Sequence, residues 1–270
     1  MLNLKNGSVE LKNTNMNYVS FGMGSEILII IPGLGDSFVT VRGKAIVMAF
    51  AYRKFARKYR VYMFSRKNCL GKGYSTRDMA RDQVEAMREL GIESANFLGV
   101  SQGGMISQYI AIDYPNVVKK LILAVTMSRK NEIVEKVIGS WIKMAENKDY
   151  KSIVLDIAEK SYSEKFLKKY RLIYPVLGIV GKPKDFTRFF IEANSCINHN
   201  SYDELDKIKC PTLIIGGDED KIVGPDASIE LSEKIVGSEL FMYRGLGHGT
   251  YEEAKDFEDR IIIFLSLNKN

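Results

Sequence analysis

Histidine is scarce in this chain: among 270 residues there are two, His199 and His248. So few imidazoles, with no H-E-x-x-H pair, argue against a histidine-rich metal centre. Cysteine is almost as rare, and Cys69, Cys196 and Cys210 form an odd set without C-x-x-C spacing. That pattern points to neither a disulfide framework nor a zinc site, and free thiols fit a reducing compartment. Long apolar segments are missing too. The longest runs, 27–31 and 261–265, fall far short of the roughly 20 residues a bilayer span needs. Residues 1–11 mix Lys and Asn with isolated apolar side chains, unlike a secretory leader. The expectation is a cytoplasmic protein with no metal, no cofactor and no membrane partner.

What is present describes an ordinary globular chain, 46% hydrophobic and 27% charged, long enough for one large domain or a domain with an insertion. The net charge of +6 raises the question of nucleic acid or another anionic partner. Yet the basic residues are spread among acids, and the densest pairs, Arg53-Lys54, Arg57-Lys58 and Lys168-Lys169, read as solvated helix faces. No nucleic acid is expected.

Strand and helix patterns alternate through the first half. Residues 9–11 and 18–21 read as a leading hairpin, and 27–31, 61–64, 96–100 and 121–125 as buried strands. Between the strands lie helical patterns such as Ala80, Val84 and Met87 behind the capping signal Ser75-x-x-Asp78. This rhythm predicts a mostly parallel sheet of about eight strands with helices on both faces. From 126 to 205 the strand signal vanishes and 141–144, 153–158, 166–174 and 186–191 read helical; strands resume at 212–215 and 240–243, and Ala254, Phe257, Ile261 and Phe264 mark a closing helix. The expected organisation is therefore a core at 1–125 and 206–270, interrupted by a helical cap at 126–205.

Chemistry enters at Gly99-Val100-Ser101-Gln102-Gly103, between the apolar run 96–98 and the helix-like stretch 105–114. A serine on a sharp strand-to-helix turn has its hydroxyl pushed outward, and the tightness of the turn calls for glycine two residues to either side. Ser101 is the candidate nucleophile, and a serine hydroxyl needs a base. His248, in the small-residue loop Gly245-Leu246-Gly247-His248-Gly249, is the candidate; His199, in Asn198-His199-Asn200, reads as an exposed helix end. The base in turn needs a carboxylate to hold its tautomer. Asp218, Glu219 and Asp220 follow the apolar run 212–217, with Asp220 the first choice and Asp218 the second.

The chain order Ser101, Asp220, His248 separates this set from the other serine-protease orders and resembles the α/β-hydrolase superfamily over essentially the whole chain. The resemblance implies an oxyanion hole made by the backbone amides of Gln102 and of Leu34, in Pro32-Gly33-Leu34-Gly35-Asp36, where many relatives carry His-Gly in place of Pro32-Gly33. A second similar segment is Gly71-Lys72-Gly73-Tyr74-Ser75. Upstream of it, where relatives often carry Asp, stands Ser65-Arg66, and Arg66 is either a pocket residue for a substrate carboxylate or, as the commoner fate of arginine, a surface residue. Gly33-x-Gly35 lacks the third glycine and the downstream acid of a dinucleotide fingerprint, and Gly71-Lys72-Gly73 lacks P-loop spacing.

The resemblance implies a carboxylesterase-like serine hydrolase acting on a small or medium ester or lactone through an acyl-enzyme, as a monomer or a homodimer. Carbon–carbon bond hydrolase, aminopeptidase and perhydrolase chemistry use the same triad, and a non-catalytic ligand sensor is the reading from another class. A serine at the elbow argues against the dehalogenase and epoxide-hydrolase branches, which resemblance says use aspartate there.

Overall fold

A computed structural model describes residues 3–267 except 172, 175, 177, 179 and 180. Strands β1 (Lys5–Leu11) and β2 (Thr14–Phe21) pair antiparallel as the expected hairpin, joined at Lys12-Asn13, where Asn13 takes the positive φ of 73° that such a tight turn favours. β3 (Ile27–Ile31), β4 (Arg60–Lys67), β5 (Ala95–Val100), β6 (Val118–Ala124), β7 (Thr212–Gly217) and β8 (Glu239–Tyr243) complete one eight-stranded sheet in the order β1-β2-β4-β3-β5-β6-β7-β8. β2 meets β4 antiparallel, and from β4 to β8 all neighbours are parallel.

The central strands are buried on both faces, which is why they read as continuous apolar runs and not as alternating ones. In β3, Ile29 and Ile31 face one core layer with Phe97, while Leu28 and Ile30 face the other with Leu98 and Val100. The first layer is covered by α3 (Thr76–Glu89) and α4 (Gln102–Asp113) through Val84, Met87, Ile106 and Ile110. The second is covered by α1 (Ala45–Ala51), α2 (Arg53–Lys58) and the closing α11 (Phe257–Ser266). Each large apolar side chain so buried contributes roughly 1.5–3 kcal/mol relative to leaving it in water. The capping signal before α3 is a complete capping box, with the Ser75 side chain on the Asp78 amide and the Asp78 carboxylate on the Ser75 amide.

Between β6 and β7 lie α5 (Glu132–Glu146), α6 (Tyr150–Ser161), α7 (Glu164–Tyr170) and α8 (Thr187–Ile197). Their inner faces, including Val134, Ile138, Trp141, Ile153 and Phe189, form a third cluster with Leu34, Met105, Ile222 and Val223 from the loops and helices at the strand ends. The helical reading of 166–174 holds to Tyr170 in α7, and Leu172 lies outside the described residues. Two further helices follow: α9 (Asp226–Lys234), and α10 (Thr250–Glu253), which ends before Ala254. Ala254 is thus not part of the closing helix as its spacing predicts; its backbone is extended at φ −76°, ψ 118°, and α11 starts afresh at Phe257. None of the described helices is long and apolar enough to cross a membrane.

The topology itself selects a site. β3 and β5 are neighbours, yet the chain leaves β3 toward helices on one face and leaves β5 toward α4 on the other. Such a switch point opens a crevice at the carboxyl ends of the two strands.

Candidate active site

Ser101 sits at that crevice, the single residue between β5 and α4, with φ 54° and ψ −120°. This is a costly conformation for a residue with a Cβ, of order 1–3 kcal/mol, and it persists only where the surroundings hold it. The Ser101 amide donates to Ala124 O at 2.9 Å and the Thr126 hydroxyl donates to Ser101 O at 2.7 Å. A Cβ on Gly103 would lie 2.6 Å from the Ile31 carbonyl carbon, and one on Gly99 2.6 Å from Gly103 O. Both glycines are therefore there because backbone segments pass where a side chain would stand.

His248 reaches across from the loop after β8, and Asp220 from the turn after β7. His248 Nε2 lies 2.9 Å from Ser101 Oγ, and Nδ1 lies 2.8 Å from Asp220 Oδ2. A carboxylate can only accept, so Nδ1 carries the proton and Nε2 is left to accept from the serine hydroxyl. The other carboxylate oxygen, Asp220 Oδ1, accepts from the amides of Ile222 at 2.8 Å and Val223 at 3.0 Å. Burial pushes the Asp220 carboxyl up, but His248 and those two amides outweigh it and hold the group below the usual range, as an anion. Asp218 is exposed and turned elsewhere, accepting from the Gly245 amide at 2.7 Å, where it braces the histidine loop.

His199 is not an exposed helix end. It is buried behind α8, with Nδ1 2.9 Å from the Thr76 hydroxyl and Nε2 3.3 Å from the Ser201 hydroxyl, and burial pulls its pKa down to about 3. It is a neutral core residue away from Ser101. The polar neighbours on either side concealed this, because the partner on α3 is remote in sequence.

Leu34 opens a short 3-10 turn (Leu34–Ser37) and Gln102 opens α4; neither start has a side-chain cap. The first amides of a helix have no acceptor within it, so neither N–H is used inside its own helix. The loop passes close to the serine: a Cβ on Gly33 would stand 3.2 Å from Ser101 Cβ.

Arg66 is neither a surface residue nor part of the pocket wall. It is 1% exposed, and its guanidinium donates from Nη2 to Pro32 O and to Gln102 Oε1, each at 2.6 Å. One buried cation thus ties the Leu34 loop to the residue after Ser101. The Arg66 amide donates to Asp36 Oδ2 at 2.9 Å, and Asp36 also accepts from the Ser65 hydroxyl at 2.7 Å and from Arg188 at 2.9 Å. Arg188 faces Glu192, one turn along α8, at 2.9 Å, and Glu192 lies 3.8 Å from Arg66. Burial pushes the Glu192 carboxyl up to about 7, against the pull of the two guanidinium groups. Asp36, Arg188 and Glu192 escape sequence reasoning because isolated charges on helices and loops are ordinarily solvated.

Ser101 and His248 open into a cavity of about 310 Å³ whose walls include Leu34, Met48, Ile138, Trp141 and Ile157. Its size and mostly apolar lining suit a small ligand held against a few polar groups.

A family model for the alpha/beta hydrolase fold matches residues 26–150. A 2-hydroxy-6-oxononadienedioate/2-hydroxy-6-oxononatrienedioate hydrolase of Klebsiella pneumoniae is 27% identical over 196 residues, covering 69% of this chain and 67% of that protein. Among solved structures, an alpha/beta hydrolase enzyme from a Medee basin deep-sea metagenome library superposes with a TM-score of 0.84 at 20% identity, over 98% of both chains. The enol-lactonase of Burkholderia xenovorans LB400 gives 0.83 at 18% identity, over 97% of this chain and 100% of that one. The family model over residues 26–150 and the superpositions over nearly the whole chain agree on the fold, that of the alpha/beta hydrolases.

Proposed function

We propose that this protein is a serine hydrolase that cleaves a small or medium carboxylic ester or lactone through an acyl-enzyme. The observation that carries the reading is the unbroken hydrogen-bond chain from Ser101 through His248 to Asp220. Ser101 Oγ attacks the carbonyl carbon while His248 Nε2 takes the hydroxyl proton, and Asp220 stabilises the imidazolium that forms. The oxyanion of the tetrahedral intermediate accepts from the Leu34 and Gln102 amides. Backbone donors fixed at the starts of two helical turns need little reorganisation as charge develops. Collapse expels the alkoxide, which takes the proton from Nε2. A water then attacks the acyl carbon with His248 again as base, releasing the acid and restoring Ser101.

The proposed location is the cytoplasm, in keeping with three unpaired cysteines. The proposed partner is the small-molecule substrate alone. A carbon–carbon bond hydrolase is the second reading, favoured by the Klebsiella relative. A fluorophosphonate probe followed by peptide mapping tests the nucleophile, and a panel of esters, lactones and vinylogous diketo acids separates the two readings. Labelling at Ser101 with turnover of esters or lactones is expected. Absence of label on Ser101 would remove the serine mechanism and return the chain to the ligand-sensor reading.

A further inference from the structure

The cavity that holds Ser101 and His248 has a single lysine or arginine in its wall among the described residues, Lys44. It immediately precedes α1 and is half-buried, with its backbone held by the Val41 carbonyl and by the Met48 amide. Its ammonium has no hydrogen bond or ion pair with any described residue, unlike most of the other cations near the site. The acid that it senses, Asp36, is already engaged by Arg188, Ser65 and the Arg66 amide. Burial pulls Lys44 below the ordinary lysine range, and the charge of Asp36 offsets this only in part.

The remaining acid in the wall, Glu252, does not balance it. Its carboxyl is exposed to solvent and accepts from the Tyr162 hydroxyl. The same wall also carries the apolar side chains of Val39, Val41, Met48 and Met105. A cation in the wall of a largely apolar cavity that also holds the nucleophile is complementary to an acyl chain carrying an anion. A carboxylate placed there exchanges water for a charge-assisted hydrogen bond in a medium where such bonds are strong.

We propose that Lys44 is a specificity-determining residue that receives a substrate carboxylate, so that the preferred substrate is a monoester of a dicarboxylic acid or a lactone carrying a carboxylate. The proposal rests on the serine-hydrolase reading. Its test compares mono-p-nitrophenyl adipate with p-nitrophenyl hexanoate, matched in chain length, in the wild-type protein and in Lys44→Met and Lys44→Arg. The wild type is expected to favour the adipate monoester in kcat/KM, chiefly through KM. Lys44→Met lowers that preference by about 10- to 100-fold, the range for losing one charged hydrogen bond, and Lys44→Arg keeps most of it. Hexanoate turnover reports that the variants are folded. Turnover of both esters with a ratio that Lys44→Met does not move overturns the carboxylate assignment alone. No turnover of either ester, with Ser101 unlabelled by fluorophosphonate, overturns the hydrolase reading and this proposal with it.

Discussion

Replacing Asp220 by Asn separates the two candidate acids of the turn after β7, Asp220 and Asp218, without changing the shape of the site. In the wild type, Oδ1 accepts from the Ile222 and Val223 amides while Oδ2 faces His248 Nδ1 at 2.8 Å. An asparagine keeps the first pair of bonds with its carbonyl oxygen and must turn its amide nitrogen toward Nδ1. That nitrogen can only donate, so the imidazole shifts its proton to Nε2, and Nε2–H then points at Ser101 Oγ. The base is lost though every heavy atom stays in place. A wrong tautomer of this kind costs on the order of 10⁴ in kcat in the serine-protease template. Asp220→Asn should therefore lower the turnover of a p-nitrophenyl ester by about 10³- to 10⁴-fold at neutral pH, with little change in Tm. Asp218→Asn perturbs only the bond to the Gly245 amide and should cost less than about tenfold. Steady-state kinetics on the two variants, with circular dichroism melts as a folding control, decide the matter. A larger loss in Asp218→Asn would refute the reasoning.

Three further predictions follow from particular contacts. Leu34→Pro deletes one proposed oxyanion donor at a helix start, where proline is tolerated, behind a Gly33 that is already extended at ψ −167°; kcat should fall by about 10²- to 10³-fold while Leu34→Ala stays near wild type, and equal activity in both would exclude the Leu34 amide. Gly103→Ala places a Cβ 2.6 Å from the Ile31 carbonyl carbon, so β3 or α4 must shift, and a Tm within a degree or two of wild type would contradict the packing described. His199 stays neutral when folded, with a pKa near 3, whereas an unfolded histidine takes a proton below about 6.5. Its contribution to stability is therefore complete above pH 6.5 and is lost as the pH falls toward 3, by roughly 3–5 kcal/mol. Denaturant titrations of His199→Gln between pH 7 and 4 should show a flatter acid slope than wild type, and parallel slopes would count against a buried neutral imidazole.

Much of this architecture is legible in the sequence because the parallel strands are buried on both faces and so stand out as short apolar runs. The elbow is legible for a different reason: Gly99 and Gly103 are demanded by close backbone approach, and that demand is local. The three residues Ser101, Asp220 and His248 can be nominated from loops that follow strands, although only the fold brings them within hydrogen-bond distance. Arg66, His199 and Glu192 resist sequence reading because burial of a polar side chain depends on partners far along the chain, such as Thr76 for His199 and Pro32 for Arg66. α9 carries only a weak pattern, Ala227 and Leu231 four residues apart, and polar neighbours mask it. Lys44 looks like any other lysine until the cavity is drawn around it.

The central claim, that Ser101 is the nucleophile of a triad, is tested most directly by the turnover of small p-nitrophenyl esters in Ser101→Ala. Without the serine oxygen no acyl-enzyme can form, and what remains is binding and the oxyanion amides. Activity is expected to fall by on the order of 10⁴- to 10⁶-fold in a protein that melts like the wild type. Hydrolysis at an undiminished rate in that variant would contradict the account.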